Sequence, residues 1–393
     1  MTALLETTAA PLAAARALSG EITRRARESE LARTLPADLV ARMRAQKLFA
    51  LALPSTLGGL ECEPGVLIDV VAEVSRADAS AGWTLLIGNT NAFLAWLEPD
   101  VAAEIVARTP QPVVAGSMAP LGRGEVNPDG GVRLTGRWPF ASGCAHADWL
   151  MGGFAVTEGG QPLRTPAGTP RMRVAFLPRA AVEVLDTWHV AGLAGTGSHD
   201  IAVTDRAVPA AYTCVPFAEP ARHGGPLYRL SPYNVLMVLL AGFPLGVARR
   251  ALDEVVALAA GRTRTGSAGR LVEEAAFGTG MLAAEAAVFA AEQGIRAAVG
   301  EIWQAVRAGD DPTLGQRARL AAATINAFDV GRDVVDTAFA AAGAAAVFER
   351  SPIQWCLRDM HAAGQHIAFS ADSRQRVARA LLGLPVPPAI FQV

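Results

Sequence analysis

Apolar residues recur at helical spacing through the first hundred positions of the chain. Leu35 to Leu51 reads as an amphipathic helix, and Pro64 and Gly65 open a second with Val66, Val70 and Val74 on one face. Ala79 to Leu97 reads as a third, strongly apolar and carrying Trp83, Phe93 and Trp96, and Pro99 suits the first turn of a fourth. The pattern changes near Pro110. From there to about Tyr212, glycine and proline punctuate short alternating runs. Met172, Val174 and Phe176 share one face of a strand, with Arg171 and Arg173 on the other; Ile201 and Val203 repeat the alternation between Asp200 and Asp205. Asn127-Pro-Asp-Gly-Gly131 is a turn, read as a hairpin. Helical periods return after Pro232, as four helices at about 233–260, 271–308, 313–345 and 352–382. Ala321, Ile325, Phe328, Val335 and Phe339 form a stripe. Arg332 interrupts it, with Asp329 and Asp336 placed to pair with it along the helix.

Helices, then strands, then helices make an α+β fold. The expected division is an N-terminal helical domain at 1–110, a central β domain at 111–215 and a C-terminal four-helix bundle at 216–393. A length of 393 residues with 51% hydrophobic and 18% charged content suits a large core and excludes a disordered chain. A net charge of −2, with dispersed Lys and Arg, gives no reason to expect a nucleic-acid or anionic-membrane partner. Cys62, Cys144, Cys214 and Cys356 are scattered, which reads as four buried thiols in a reducing compartment and not as a metal site. The N-terminus has Glu6 and no early Lys or Arg, unlike a signal peptide. The most apolar run, Val235 to Ala248, is short for a bilayer and contains Pro244. A soluble, cytoplasmic protein is expected.

Three segments carry candidate chemistry. They are Gly136-Arg-Trp-Pro-Phe-Ala-Ser-Gly-Cys-Ala-His-Ala-Asp-Trp149, Trp188-His-Val-Ala-Gly-Leu-Ala-Gly-Thr-Gly-Ser-His-Asp200 and Arg358-Asp-Met-His-Ala-Ala-Gly-Gln-His366. In this order and spacing the chain, from about Leu31 to Gly383, resembles the acyl-CoA dehydrogenase superfamily and within it the flavin-dependent monooxygenase branch. That resemblance implies N-terminal helices, a β-barrel-like central domain, a four-helix bundle, and a homotetramer with flavin between subunits.

By the same resemblance Phe140, Ala141 and Ser142 lie beside the flavin ring, with Ser142 hydrogen-bonded to flavin N5, and Ser117 holds a similar place on the preceding strand. A serine alone equally satisfies a turn. Arg262 sits at the end of the first bundle helix, where the family reaches flavin phosphates of a neighbouring subunit; an arginine fork suits phosphate, although a helix-end arginine is also commonplace. Thr263, Arg264 and Thr265 stand where the family has an aromatic-glycine pair. Ala340 replaces a family glutamine and only Gly343 survives of a glycine-rich turn, which favours FMN and leaves FAD possible. Trp83 and Asn91 fall on the helix that would wall the substrate cavity, and Trp83 also suits the core.

The family's catalytic glutamate is absent. No acid follows Asp359 before Asp372, and none occurs from Ala221 to Ala251. His366 stands one residue short of the lost glutamate and His361 five before His366, so either is a candidate base for a phenol or amine. Their spacing does not suit a metal pair. His146, His189, His199 and His223 read as solvated or capping residues. The resemblance thus implies a two-component monooxygenase. A separate flavin reductase supplies reduced flavin, and O2 is used to hydroxylate or N/S-oxidise a small, aromatic or heteroatom-bearing substrate. A desaturase with a relocated base and an inactive binding scaffold are the alternatives.

Overall fold

The computed structural model describes residues 2–166, 168–216, 219–263 and 269–386. Helices α1 (Thr2–Ala32), α2 (Ala37–Ala45), α3 (Pro64–Ala77), α4 (Ala79–Gly88) and α5 (Pro99–Arg108) come first. Pro64 and Pro99 each occupy a first helical turn, where no N–H is missed. The run from Leu35 makes a shorter helix than its periodicity suggests. Lys47 turns left-handed at φ 57° and Leu48–Ala50 follow as a buried 3-10 turn. Ala79 to Leu97 also divides: α4 ends at Gly88 and Thr90–Trp96 is a 3-10 stretch. The break falls where Asn89 donates to the carbonyls of Leu48 (2.8 Å) and Leu85 (3.0 Å) and accepts from Ala52 N–H (3.1 Å). An asparagine side chain has there replaced the helix ladder.

The strands are β1 (Val114–Val126), β2 (Val132–Trp138), β3 (Trp149–Glu158), β4 (Gln161–Pro162), β5 (Met172–Pro178), β6 (Glu183–Leu185), β7 (Asp200–Val208) and β8 (Thr213–Cys214). They form one mixed sheet in the order β6-β7-β2-β1-β3-β5-β8, with β4 on β3. β1 and β2 are the expected hairpin, closed by Asn127 N–H on the Gly131 carbonyl at 2.8 Å. β1 runs parallel to β3, and its register shifts between Ser117 and Gly122. β5 departs from simple alternation. Val174 and Phe176 join the large helical core while Ala175 and Leu177 join the β domain's own core, so both of its faces are buried. Trp138 is fully buried, its indole filling the space that Cβ atoms at Gly122, Gly136 and Gly152 would occupy. Its Nε1 donates to the Gly153 carbonyl at 2.8 Å. This anchors the end of β2 just before the Phe140–Gly143 turn.

The C-terminal helices are α6 (Pro232–Ala260), α7 (Ala275–Ala308), α8 (Leu314–Ala342), α9 (Pro352–Ala363) and α10 (Ala371–Leu381). α6 continues through Pro244 and is long and apolar enough to cross a membrane, but 94% of its apolar window is buried in the fold, as befits a core helix. Gly242 and Gly246 let it lie directly on α3. A Cβ at either would stand 2.3 Å from the Ile68 carbonyl or 2.2 Å from that of Ala72. The last expected helix, 352–382, is two helices. The chain leaves α9 at Gly364, His366 is extended (φ −61°, ψ 142°), and a 3-10 turn at Ile367–Phe369 precedes α10. Arg332 does not take both expected partners. It lies 3.5 Å from Asp329, which also receives Arg374 at 2.7 and 2.8 Å, while Asp336 pairs with His361. All four cysteines are buried and unpaired.

Candidate functional site

The three segments singled out in the sequence converge. Arg358 and Asp359 of α9 grip the loop before β7: Arg358 Nη1 donates to the Ala191 carbonyl at 2.8 Å, and Leu193 N–H donates to Asp359 Oδ1 at 2.6 Å. Gly192 makes this grip possible, because a Cβ there would stand 2.1 Å from the Arg358 carbonyl. Burial, and then the nearby Asp78 carboxylate, push the Asp359 carboxyl up to about 7. The gripped loop carries Thr196 and Ser198 to the turn that holds Ser142. Gly143 N–H donates to the Thr196 carbonyl and Ala141 N–H to that of His199, at 2.8 and 3.0 Å.

Four groups form a buried hydrogen-bonded row. Trp83 Nε1 donates to Ser142 Oγ (3.1 Å), Ser142 Oγ meets Ser198 Oγ (2.7 Å), Ser198 Oγ meets Thr196 Oγ1 (2.6 Å), and Thr196 donates to the Leu193 carbonyl (2.7 Å). The direction of every proton follows from the last bond, since a carbonyl only accepts. Thr196 spends its one hydrogen on Leu193, so Ser198 donates to Thr196 and Ser142 donates to Ser198. Ser142 is then a committed donor. Of its two lone pairs one takes the Trp83 N–H and one is left. A ligand atom that meets Ser142 must therefore bring a hydrogen.

The other side of Trp83 faces His366. Their rings meet edge-on at 5.7 Å, and Phe243 meets Trp83 in the same way at 5.1 Å. Phe328 and Phe369 complete an apolar wall, with Phe243 stacked on Phe328 at 5.9 Å and Phe369 3.8 Å beyond. His366 Nδ1 accepts the Ala368 N–H at 3.2 Å, which leaves Nε2 as its free ring nitrogen. Burial pushes the imidazole down to about 4, so it is neutral near pH 7. With Nδ1 accepting, the neutral ring carries its hydrogen on Nε2, which can donate to a substrate oxygen or nitrogen; the base role expected for His366 requires the bond from the Ala368 N–H to break.

The structure separates the remaining candidates. His361 is exposed on α9 and pairs with Asp336 at 2.8 Å, away from this row. Its place on an intact helix turns it outward, whereas the break after Gly364 carries His366 inward. Asn91 is buried, but its amide donates to the carbonyls of Phe49 (2.6 Å) and Pro112 (2.9 Å), fastening a 3-10 stretch to the start of the sheet. Trp83 is both core and site: it is 5% exposed yet touches Ser142 and His366. Ser142 lies in a turn beyond β2, not on a strand. Phe140, in the left-handed region at φ 63°, is 69% exposed, an aromatic ring without full cover whose edge meets Trp188 at 6.1 Å. Ala141 is fully buried beneath it. Ser117 Oγ accepts the Ala119 N–H at 3.2 Å where β1 shifts register against β3. Arg262 donates to the Ala342 carbonyl at 3.0 Å and so caps α8 beside Gly343, which turns at φ 57°. Arg264 and Thr265 lie outside the described residues. Of the other histidines, His146 meets Thr34 Oγ1 at 3.0 Å and His199 Nδ1 accepts the N–H groups of Thr187 and Trp188. The sequence reading missed Thr196 and Ser198. The segment was visible, but only the fold shows two of its hydroxyls reaching Ser142.

Residues 6–98 match the model of the acyl-CoA dehydrogenase N-terminal domain and residues 238–371 that of its C-terminal domain. The chain is 31% identical to an indole-3-acetate monooxygenase of Pseudomonas putida over 90% of its own length and 88% of the relative's. It is 30% identical to the flavin-dependent monooxygenase oxygenase subunit HsaA of Mycobacterium tuberculosis, over 91% of each. The crystal structure of 3-HSA hydroxylase from Rhodococcus sp. RHA1 superposes with a TM-score of 0.89 at 25% identity, covering 97% of this chain and 99% of that one. Helices, mixed sheet and helices in this order and similarity along nearly the whole length agree: the chain belongs to the acyl-CoA dehydrogenase superfamily, in its branch of flavin-dependent monooxygenases.

Proposed function

We propose that this chain is the oxygenase component of a two-component system. A separate reductase delivers reduced flavin, and the substrate is a small aromatic or heteroatom-bearing molecule. The observation that carries the reading is the proton direction at Ser142. Its spare lone pair suits the N5–H of a reduced flavin and mismatches the oxidised ring, whose N5 is itself an acceptor. Phe140, two residues before Ser142, offers a largely exposed aromatic ring, and the small Ala141 lies between them; Ser117, on β1, is the further candidate for the ring. The residues therefore fit a flavin ring. Reduced flavin, when bound, supplies the activation of O2.

The protein's own part is to bind and orient. Ser142 holds the ring by one hydrogen bond, Trp83 and the phenylalanines keep water from the reacting face, and His366, whose Nδ1 is taken by the Ala368 N–H, presents Nε2–H to hydrogen-bond a substrate oxygen or nitrogen. Among the described residues the Arg262 guanidinium meets the Ala342 carbonyl through Nη1 alone, and we read its other N–H groups as directed at a phosphate beside its cap on α8. We read that phosphate as belonging to a flavin presented by a second copy of the chain, in a homotetramer. FMN suffices in this reading, because Ala340 stands where the family's adenine-side glutamine would be; FAD remains accommodated. The cytoplasm, which contains reduced flavin and thiols, suits such an enzyme. The test supplies reduced FMN or FAD from a flavin reductase in air with a panel of phenols and indoles. Oxygenated product is expected with the parent protein. Peroxide alone across the panel, with no tight binding of reduced flavin, would refute the assignment.

A further inference from the structure

Leu193 joins α9 to the hydroxyl row, and its backbone is strained. It stands in the left-handed region at φ 54°, which glycine adopts freely and leucine rarely. Bonds at both ends hold it there. Its N–H donates to Asp359 Oδ1 at 2.6 Å. Its carbonyl accepts Thr196 Oγ1 (2.7 Å), the Thr196 N–H (3.1 Å) and Trp188 Nε1 (3.0 Å). One residue therefore fixes both the end of the row and the indole that meets Phe140. The surroundings of Asp359 leave its charge unbalanced. It borders one small void with Asp78, Arg250, Trp355 and Cys356. Asp78, the N-cap of α4, is buried and accepts the Ala81 N–H at 2.8 Å. The neighbouring cations are engaged elsewhere. Arg358, on α9, donates to Glu30 of α1 at 2.6 Å, and Arg250, on α6, donates to the Ala77 carbonyl and lies 3.8 Å from Glu254. The Cys356 thiol, pushed up to about 12 by burial, stays neutral. Asp359 thus faces a second carboxylate with no cation bonded to it among the described residues, and it exchanges its proton near neutral pH.

We propose that Asp359 is a positioning residue for the oxygenation site: its carboxylate locks Leu193, and through it the Ser142 row, in the direction that prefers reduced flavin, and the lock loosens when the carboxylate takes up a proton. An ionised acceptor holds an N–H roughly twice as strongly as a neutral one. With the weaker bond the strained Leu193 is freer to relax, and Thr196 loses the fixed carbonyl that sets the direction of its hydrogen. Given the flavin reading of Ser142, on which this rests, the preference for reduced over oxidised flavin is larger on the alkaline side of neutrality than on the acid side.

The experiment is an anaerobic titration of the parent, Asp359→Asn and Ser142→Ala with reduced and with oxidised FMN, at about pH 6 and about pH 8, with a thermal melt of each protein. Asparagine keeps an acceptor for the Leu193 N–H but never ionises, so it stands for the protonated state. Ionisation of the flavin itself is common to all the proteins. The parent's ratio of reduced to oxidised affinity, divided by that of Asp359→Asn, should be near one at the lower pH and rise to about two- to fivefold at the higher. Thr196→Val cuts the row from Leu193 and leaves Asp359 in place; it should remove the same pH step, and it stands in if Asp359→Asn does not fold. A quotient that stays the same at both pH values in folded proteins overturns the proposal. Ser142→Ala tells the two readings apart. If it keeps the parent's ratio, the flavin reading of Ser142 falls and the role of Asp359 with it; if it loses the preference while the quotient stays flat, only the role of Asp359 falls.

Discussion

Ser198→Ala tests the proton row most directly. In the parent, Ser198 accepts from Ser142 at 2.7 Å and donates to Thr196 at 2.6 Å. Removing that hydroxyl costs two buried hydrogen bonds, about 1–3 kcal/mol together, and leaves only a small space, so the fold should survive. Thr196 keeps its bond to the Leu193 carbonyl. Ser142 keeps the Trp83 N–H but loses its acceptor, and its hydrogen is then free to point at a flavin. An oxidised N5, an acceptor, gains a partner it lacked. A net hydrogen bond of about 0.5–1.5 kcal/mol converts to roughly two- to twelve-fold in affinity. The ratio of reduced to oxidised flavin affinity should therefore fall by about that factor in the variant. Anaerobic titrations with both redox forms of FMN measure it, with a thermal melt to confirm folding. A folded Ser198→Ala protein with the parent's ratio would show that the row does not set Ser142's polarity.

Other expectations follow from the same geometry. His366→Ala should lose the substrate hydrogen bond from Nε2–H, lowering product formation about two- to twelve-fold while peroxide release rises, and His361→Ala should stay near the parent, since its exposed pair with Asp336 is worth under about 1 kcal/mol; equal turnover in both variants would remove His366 from the mechanism. His366 and Asp359 tilt stability in opposite senses with pH. A histidine pushed down to about 4 has its full effect above the ordinary pKa near 6.5 and costs stability as pH falls from about 6.5 to 4, because only the unfolded chain takes up the proton. An aspartate pushed up to about 7 costs stability as pH rises from about 4 to 7, because only the unfolded chain releases its proton. Asp359→Asn should thus steepen the acid-side loss in urea midpoints measured between pH 4 and 6.5, and a flat profile in that variant would contradict the burial of His366. Gly246→Val should destabilise by about 1–3 kcal/mol or more, since its Cβ would meet the Ala72 carbonyl at 2.2 Å, and an unchanged melting temperature would show that α3 and α6 are not in backbone contact. Arg262→Ala should weaken reduced-flavin binding in the assembled protein, and a monomeric parent with equal affinity would rule out a site shared between copies.

Local rules marked the helical and β regions and where several elements begin, but not where α2, α4 and α9 end. Pro64 and Pro99 start helices because a proline lacks the N–H that a first turn does not need, and Asn127 to Gly131 turns because glycine adopts the positive φ required at Gly130. Helical and alternating periods marked the bundle and the sheet because each records which side of an element is buried. The positions of Ser142 and His366 were legible only through the family resemblance; nothing in their immediate neighbours distinguishes them from turn residues. Their use depends on contacts between residues far apart in the chain. Asn89 ends α4 by bonding to Leu48, the segment after Gly364 turns His366 inward while α9 leaves His361 on Asp336, and Asp359 draws Leu193, and with it Ser198, to Ser142. Sequence periodicity reports burial, but a hydroxyl's proton direction is set by which acceptor lies at the end of its row. That acceptor, the Leu193 carbonyl, is placed by tertiary packing alone, so the bias toward a donor ligand could be decided only in the folded chain.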